Sequence, residues 1–100
     1  MYLAMNRFQV NAGFEEGFES MWRNRDSYLH TVPGFKEFHL LRGETKDGLT
    51  LFVSHSQWES QAAFTAWTES ESFRKAHGDA RSPAGTLNGH PVFEGFAVVL

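Results

Sequence analysis

The sequence predicts an α+β fold in which one antiparallel sheet carries two helices on one face. Three observations predict it. Four stretches show the two-residue alternation or apolar density of strands, and two show the three- and four-residue spacing of amphipathic helices. They follow one another as strand, helix, strand, strand, helix, strand. A length of 100 residues, 41% of them hydrophobic, sets the scale at one domain spanning 1–100 with one core.

Residues 2–10 alternate. Tyr2, Ala4, Asn6, Phe8 and Val10 share one face, and Leu3, Met5, Arg7 and Gln9 share the other, which predicts a strand. Asn11-Ala12-Gly13 supplies turn and cap chemistry. Phe14, Phe18, Met21, Trp22, Leu29 and Val32 then recur at helical steps, predicting an amphipathic helix of roughly 15 to 17 residues. Pro33-Gly34 ends it. Phe35 to Arg42 reads as the second strand, with Phe38 and Leu40 on one side and Phe35, His39 and Leu41 on the other.

The polar run 43–48 ends in Asp-Gly and predicts a hairpin connection, so Leu49 to Trp58 returns antiparallel as the third strand. Ser60 is placed to cap a second helix containing Ala62, Ala63, Phe64, Ala66 and Trp67. Ser70 is placed to cap a short further segment carrying Phe73 and Ala76, with Gly78 at its end. Residues 79–90, rich in Gly, Pro, Ser and Asn, read as an exposed or semi-ordered loop. Val92 to Leu100 is the last strand, apolar on both faces.

This order is the ferredoxin-like βαββαβ unit, with both helices on one side of the sheet. Strands two to four are apolar on both sides, as in Phe38 with Leu41, Phe52 with Val53 and Phe93 with Val98. The face without helices is therefore expected to pack against a second copy, giving a homodimeric α+β barrel.

Composition excludes several classes of chemistry. No cysteine is present, so disulfides, thiolate metal sites and cysteine nucleophiles are absent. A formal charge of −3 and a pI near 5.9, with scattered Lys and Arg, provide no nucleic-acid footprint. No apolar run is long enough to span a membrane, and the N-terminus lacks the pattern of a secretory leader. A soluble, cytoplasmic protein is the expectation. Fifteen aromatic residues, ten of them Phe, can line a flat apolar pocket or simply fill a core. The acidic residues fall mostly on solvated helix faces, and neither a dinucleotide fingerprint nor a nucleophile elbow occurs.

Of the five histidines, no two show the helical spacing of a zinc pair. His39 and His55 lie on strands and read as partly buried, hydrogen-bonded side chains. His77 directly precedes Gly78, where two readings stand side by side. It is either an imidazole placed against the negative end of a helix or a neutral ligand for a heme iron. Asn6 places an amide in the apolar face of the first strand, where it either bonds to backbone or points its NH2 at a ligand oxygen. Trp67 faces the sheet from the second helix, as a core ring or as a surface that presses on a planar cofactor.

The run from Trp58 through Ser60, Ala63, Phe64, Trp67, Ser70 and Phe73 to His77 resembles the signature of the heme-degrading (IsdG-type) monooxygenases within the antibiotic biosynthesis monooxygenase (ABM) superfamily. Asn6, Trp67 and His77, the last in the pattern F-x-x-A-H, correspond to that family's triad, and Pro33-Gly34-Phe35 matches its helix-to-strand turn. The broader pattern W-x-S-x-x-A-F-x-x-W is shared with relatives that do not bind heme.

The resemblance implies a dimer with one heme per subunit, the heme being both cofactor and substrate, consumed with O2 and an electron donor. It implies His77 as axial iron ligand, Asn6 as hydrogen-bond donor on the oxygen side, and Trp67 as a ring that ruffles the porphyrin. Phe8, Trp22, Phe64 and Phe73 are candidates for the slot walls, and Arg74, Lys75 and Arg81 for the propionates. Two other readings accept the same fold: a cofactor-independent monooxygenase acting on a quinol or polyketide, and a heme-binding protein without turnover.

Overall fold

The computed structural model describes residues 1–25, 28–71, 73–74 and 83–100. Its elements are β1 (Tyr2–Asn11), α1 (Glu15–Asn24), β2 (Phe35–Lys46), β3 (Leu49–Trp58), α2 (Gln61–Thr68) and β4 (Val92–Ala97), with a 3-10 turn at Leu29–Thr31. The strands form one antiparallel sheet in the order β2-β3-β1-β4, which is the ferredoxin-like arrangement the sequence predicts.

Alternation places the core. Thr50, Phe52, Ser54, Ser56 and Trp58 of β3 are buried, while the residues between them are half-buried. They pair across β1 as Val10↔Thr50, Phe8↔Phe52, Asn6↔Ser54, Ala4↔Ser56 and Tyr2↔Trp58, so both strands turn these side chains to the helix face. Two buried clusters result. One joins Val10, Phe18 and Phe52 beneath α1, and the other joins Tyr2, Ala4, Leu29 and Trp58 beneath α2. Phe18 is 1% exposed, so truncating it to Ala should cost about 3–5 kcal/mol. The polar atoms near Trp58 are paired within the core. Its Nε1 donates to Ser56 Oγ at 2.9 Å, and that hydroxyl donates to the Ala4 carbonyl at 3.3 Å.

Four boundaries differ from the sequence expectation. Helix α1 is shorter, at 10 residues: Asn24 is its last helical residue and Arg25 is already extended. The run Asn-Arg-Asp-Ser has little to hold a helix, and Leu29 and Val32 reach the core from the 3-10 turn instead. Phe14 precedes the helix and stays 40% exposed. Strand β2 continues to Lys46, because Asp47 and Gly48 (φ 54° and 78°) make a tight two-residue hairpin. Phe35 joins Phe38 on the helix face, since a register shift between Phe35 and Glu37 reverses its side and sets its ring 5.5 Å from Trp58. Strand β4 ends at Ala97 rather than Leu100.

The described part of the loop after α2 is anchored. Asn11 N–H donates to the Thr86 carbonyl at 2.8 Å, Asn11 Nδ2 donates to the Gly85 carbonyl at 2.7 Å, and Thr86 is buried. On the sheet face opposite the helices, Leu41, Val92 and Phe96 are each more than 40% exposed.

Candidate active site

The site grows from one row across the sheet. Phe93 of β4, Asn6 of β1, Ser54 of β3 and Leu40 of β2 are successive register partners. Asn6 and Ser54 interrupt the apolar face where the two buried clusters meet, since Ala4 belongs to one cluster and Phe8 packs against the other. Asn6 is half-buried and its amide makes no hydrogen bond among the described residues. It is therefore a small polar floor between two aromatic walls.

The wall on the α1 side is built around Trp22. Its ring stacks on Phe38 (5.6 Å, 21°) and meets Phe8 edge-on at 5.8 Å, and Phe8 packs on Phe18 at 5.3 Å. The Arg25 guanidinium lies 4.7 Å from the Trp22 ring centroid. Two buried donors here have no hydrogen-bond partner among the described residues: Trp22 Nε1 and Arg25 Nε. Burial holds the Arg25 guanidinium below its ordinary range, because partial loss of water penalises its charged form. An open cavity of about 280 Å³ lies between Trp22 and Arg23 of α1 and Phe38, Leu40 and Arg42 of β2, on the floor of Phe52. Neither Asn6 nor Trp67 lines it.

The wall on the α2 side follows from capping. Ser60 Oγ accepts from Ala63 N–H at 3.1 Å and starts the helix, so that Phe64 and Trp67, three residues apart, share the face toward Trp58 at 5.7 and 5.2 Å. Ser70 breaks the helix as the sequence predicts. Its hydroxyl donates to the Trp67 carbonyl at 2.6 Å and accepts from Phe73 N–H at 3.2 Å. This turn brings the Phe73 ring to 4.8 Å from Trp67, nearly perpendicular. Phe93 closes the wall by stacking on Phe64 at 5.6 Å.

The structure thus groups Phe64, Trp67 and Phe73 on one wall and Phe8 and Trp22 on the other, with Asn6 between. His77, Lys75 and Arg81 lie outside the described residues, and Arg74 is exposed. Sequence reasoning missed Arg25, Ser54, Phe38 and Phe93. The serines of β3 carried a readable signal, since Phe52-x-Ser54-x-Ser56-x-Trp58 puts small polar groups at inward positions. His55 also differs from expectation: its buried Nδ1 has no hydrogen-bond partner among the described residues, and its neighbour is the exposed His39, with ring centroids 6.1 Å apart.

Among the described residues, no group of three or more His, Asp and Glu side chains could hold a metal ion. What they do offer suits a flat apolar group with an anionic edge: two aromatic walls, a narrow polar floor and unsatisfied N–H donors at one end.

The sequence profile of the antibiotic biosynthesis monooxygenase family matches residues 1–79. The chain belongs to this family. A relative described as heme oxygenase (mycobilin-producing), from Mycobacterium tuberculosis (strain CDC 1551 / Oshkosh), is 32% identical over 82 residues, covering 82% of this chain and 76% of its own. The structure of the heme-degrader MhuD from Mycobacterium tuberculosis, with two hemes bound in its active site, matches with a TM-score of 0.76. The identity is 26%, over 100% of this chain and 97% of that one. SnoaB, a cofactor-independent oxygenase from Streptomyces nogalater, shares the fold at a TM-score of 0.70 and 23% identity, over 99% and 93% of the two chains.

As an ABM protein of the IsdG type, the chain belongs to the monooxygenases. The ABM pattern W-x-S-x-x-A-F-x-x-W now has a physical account. Trp58 is the fully buried anchor, Ser60 caps α2, Ala63 lies against the Gly34 turn, and Phe64 and Trp67 return to the anchor. Among the described residues, no helix is long and apolar enough to cross a membrane.

Proposed function

We propose that this protein, as one domain over 1–100, is a heme-degrading monooxygenase that holds heme over the Asn6–Ser54 floor and opens the porphyrin with O2 and electrons, releasing iron. The observation that carries the reading is the separation of the helix-face aromatics into two walls across that polar floor. The relative described as a heme oxygenase supports it from sequence. When bound, heme supplies the redox chemistry and is itself the substrate oxidised.

The chain's own residues bind, orient and exclude water. Phe8 and Trp22 on one side and Phe64, Trp67 and Phe73 on the other would cover the apolar faces of the macrocycle, with Trp67 packed against it. The Asn6 NH2 donates a hydrogen bond into the space where O2 enters. His77 would hold the iron, and Arg81 would meet a propionate. A second copy covers the sheet face carrying Leu41, Val92 and Phe96, making the working unit a homodimer.

Hemin added to the purified protein, followed by ascorbate under air, tests the reading. A Soret band of histidine-bound ferric heme that then bleaches, with an open-chain tetrapyrrole found by mass spectrometry, is the expected result. Binding without bleaching would leave a heme carrier, and no binding would leave a cofactor-independent oxygenase. A spectrum retained in His77→Ala would remove His77 as the ligand.

A further inference from the structure

We propose that the Ser54 hydroxyl is a second hydrogen-bond donor to the oxygen ligand, acting beside the Asn6 amide, an assignment that rests on the heme reading above. Strand β3 turns three hydroxyls inward, those of Thr50, Ser54 and Ser56, and the fold uses two of them. Thr50 Oγ1 donates to the Glu15 carboxylate at 2.8 Å and lies 2.7 Å from Thr45 Oγ1. Ser56 Oγ accepts from Trp58 Nε1 at 2.9 Å and donates to the Ala4 carbonyl at 3.3 Å. Ser54 is only 6% exposed, yet its hydroxyl bonds to none of the described residues.

A buried hydroxyl without a partner costs free energy that an alanine would avoid, so small size alone does not account for Ser54. Its position does. Ser54 is the register partner of Asn6, and residues directly opposed on one sheet face hold their Cβ atoms about 5 Å apart. The Asn6 amide likewise bonds to none of the described residues. Two unpaired polar groups on adjacent strands thus face the same space, between the cluster of Phe18 and Phe52 and the cluster of Ala4 and Trp58.

An apolar macrocycle cannot satisfy these groups, whereas a small oxygen ligand carried on it can. The Asn6 NH2 donates, and the Ser54 hydroxyl both donates and accepts. Two donors set side by side on rigid strands stabilise one atom that gains negative charge, the more so where water is excluded. Thr50 and Ser56 are already committed to the fold, which leaves Ser54 for this role.

The test uses two probes that differ in hydrogen bonding. Hemin-loaded wild type and Ser54→Ala are titrated with fluoride, an anionic acceptor, and after reduction with carbon monoxide, a weak one. Ser54→Ala should bind fluoride about tenfold more weakly, the effect of one hydrogen bond to a charged acceptor, while its carbon monoxide affinity stays within about twofold of wild type. Thermal melts of the unliganded proteins give a second readout. Ser54→Ala should melt at or above the wild-type temperature, whereas Ser56→Ala, which strands the buried Trp58 N–H, should melt roughly 5 °C lower.

Fluoride affinity retained in Ser54→Ala overturns the second donor while the heme reading survives. Equal weakening of fluoride and carbon monoxide also overturns it, because packing rather than hydrogen bonding has then changed. A melting temperature of unliganded Ser54→Ala as low as that of Ser56→Ala returns the hydroxyl to the fold and likewise overturns it. Failure of wild type to bind hemin overturns the heme reading and this assignment together.

Discussion

Gly34 and Ala63 touch so closely that a Cβ built on residue 34 would lie 2.5 Å from the Ala63 Cβ. Gly34 also has φ +84°, and its carbonyl accepts from Glu59 N–H at 2.7 Å. The turn into β2 is thereby locked to the start of α2. Gly34→Ala combines a left-handed backbone with overpacking and should cost about 2–4 kcal/mol. Urea unfolding measures it, and a loss below about 1 kcal/mol would mean that α2 is free to shift.

Ser70 links two rings of the α2 wall, since its one hydroxyl bonds the Trp67 carbonyl and receives Phe73 N–H. Ser70→Ala should cost about 1 kcal/mol, as the loss of a helix cap does. Hemin affinity should fall more than stability does, because Phe73 is no longer held against Trp67. Parallel thermal melts and hemin titrations check this, and unchanged affinity would remove Phe73 from the wall.

Local signals made much of this legible. The Asp47-Gly48 hairpin, the Ser60 cap and the break at Ser70 depend on residues within four positions of each other, which is the range over which turn and capping chemistry acts. Spacing overstates the length of α1 because Leu29 and Val32 continue a helical period although the helix ends at Asn24. Phe35 was placed on the wrong face because a single register shift is invisible to a two-residue period. Arg25 was overlooked for a different reason. In a run of charged residues nothing local marks one arginine as half-buried against a ring, and only the placement of its guanidinium over Trp22 does so.

Glu15 supplies a pH-dependent contribution. Its carboxyl is held below the ordinary value of 4.5 by its own backbone N–H, then by the Thr50 hydroxyl and the Gly13 N–H. A carboxyl whose folded value is depressed favours folding at pH above its unfolded value, and that contribution fades as pH falls through the folded value. Wild type should therefore exceed Glu15→Gln in stability at pH 7, and the gap should close as pH drops below 4.5. Denaturant melts of both proteins from pH 7 down to about 3 decide it. A gap that does not vary with pH would assign the difference to geometry rather than charge.

Asn6 separates a structural amide from a functional one. A structural amide at this position would be satisfied by neighbouring groups, and its removal would leave their partners orphaned at about 1–3 kcal/mol. The Asn6 side chain bonds to none of the described residues, so Asn6→Ala should stay within about 0.5 kcal/mol of wild type in a denaturant melt. If its NH2 serves the oxygen side of bound heme, the same variant should bind hemin within a few-fold of wild type. Its pigment should nevertheless bleach about 10²-fold more slowly under reductant and air, the usual loss for a single donor aimed at developing negative charge. Stability and turnover then move apart in one variant. A destabilisation above about 2 kcal/mol, or bleaching at the wild-type rate, would return Asn6 to the fold and leave oxygen chemistry to other groups.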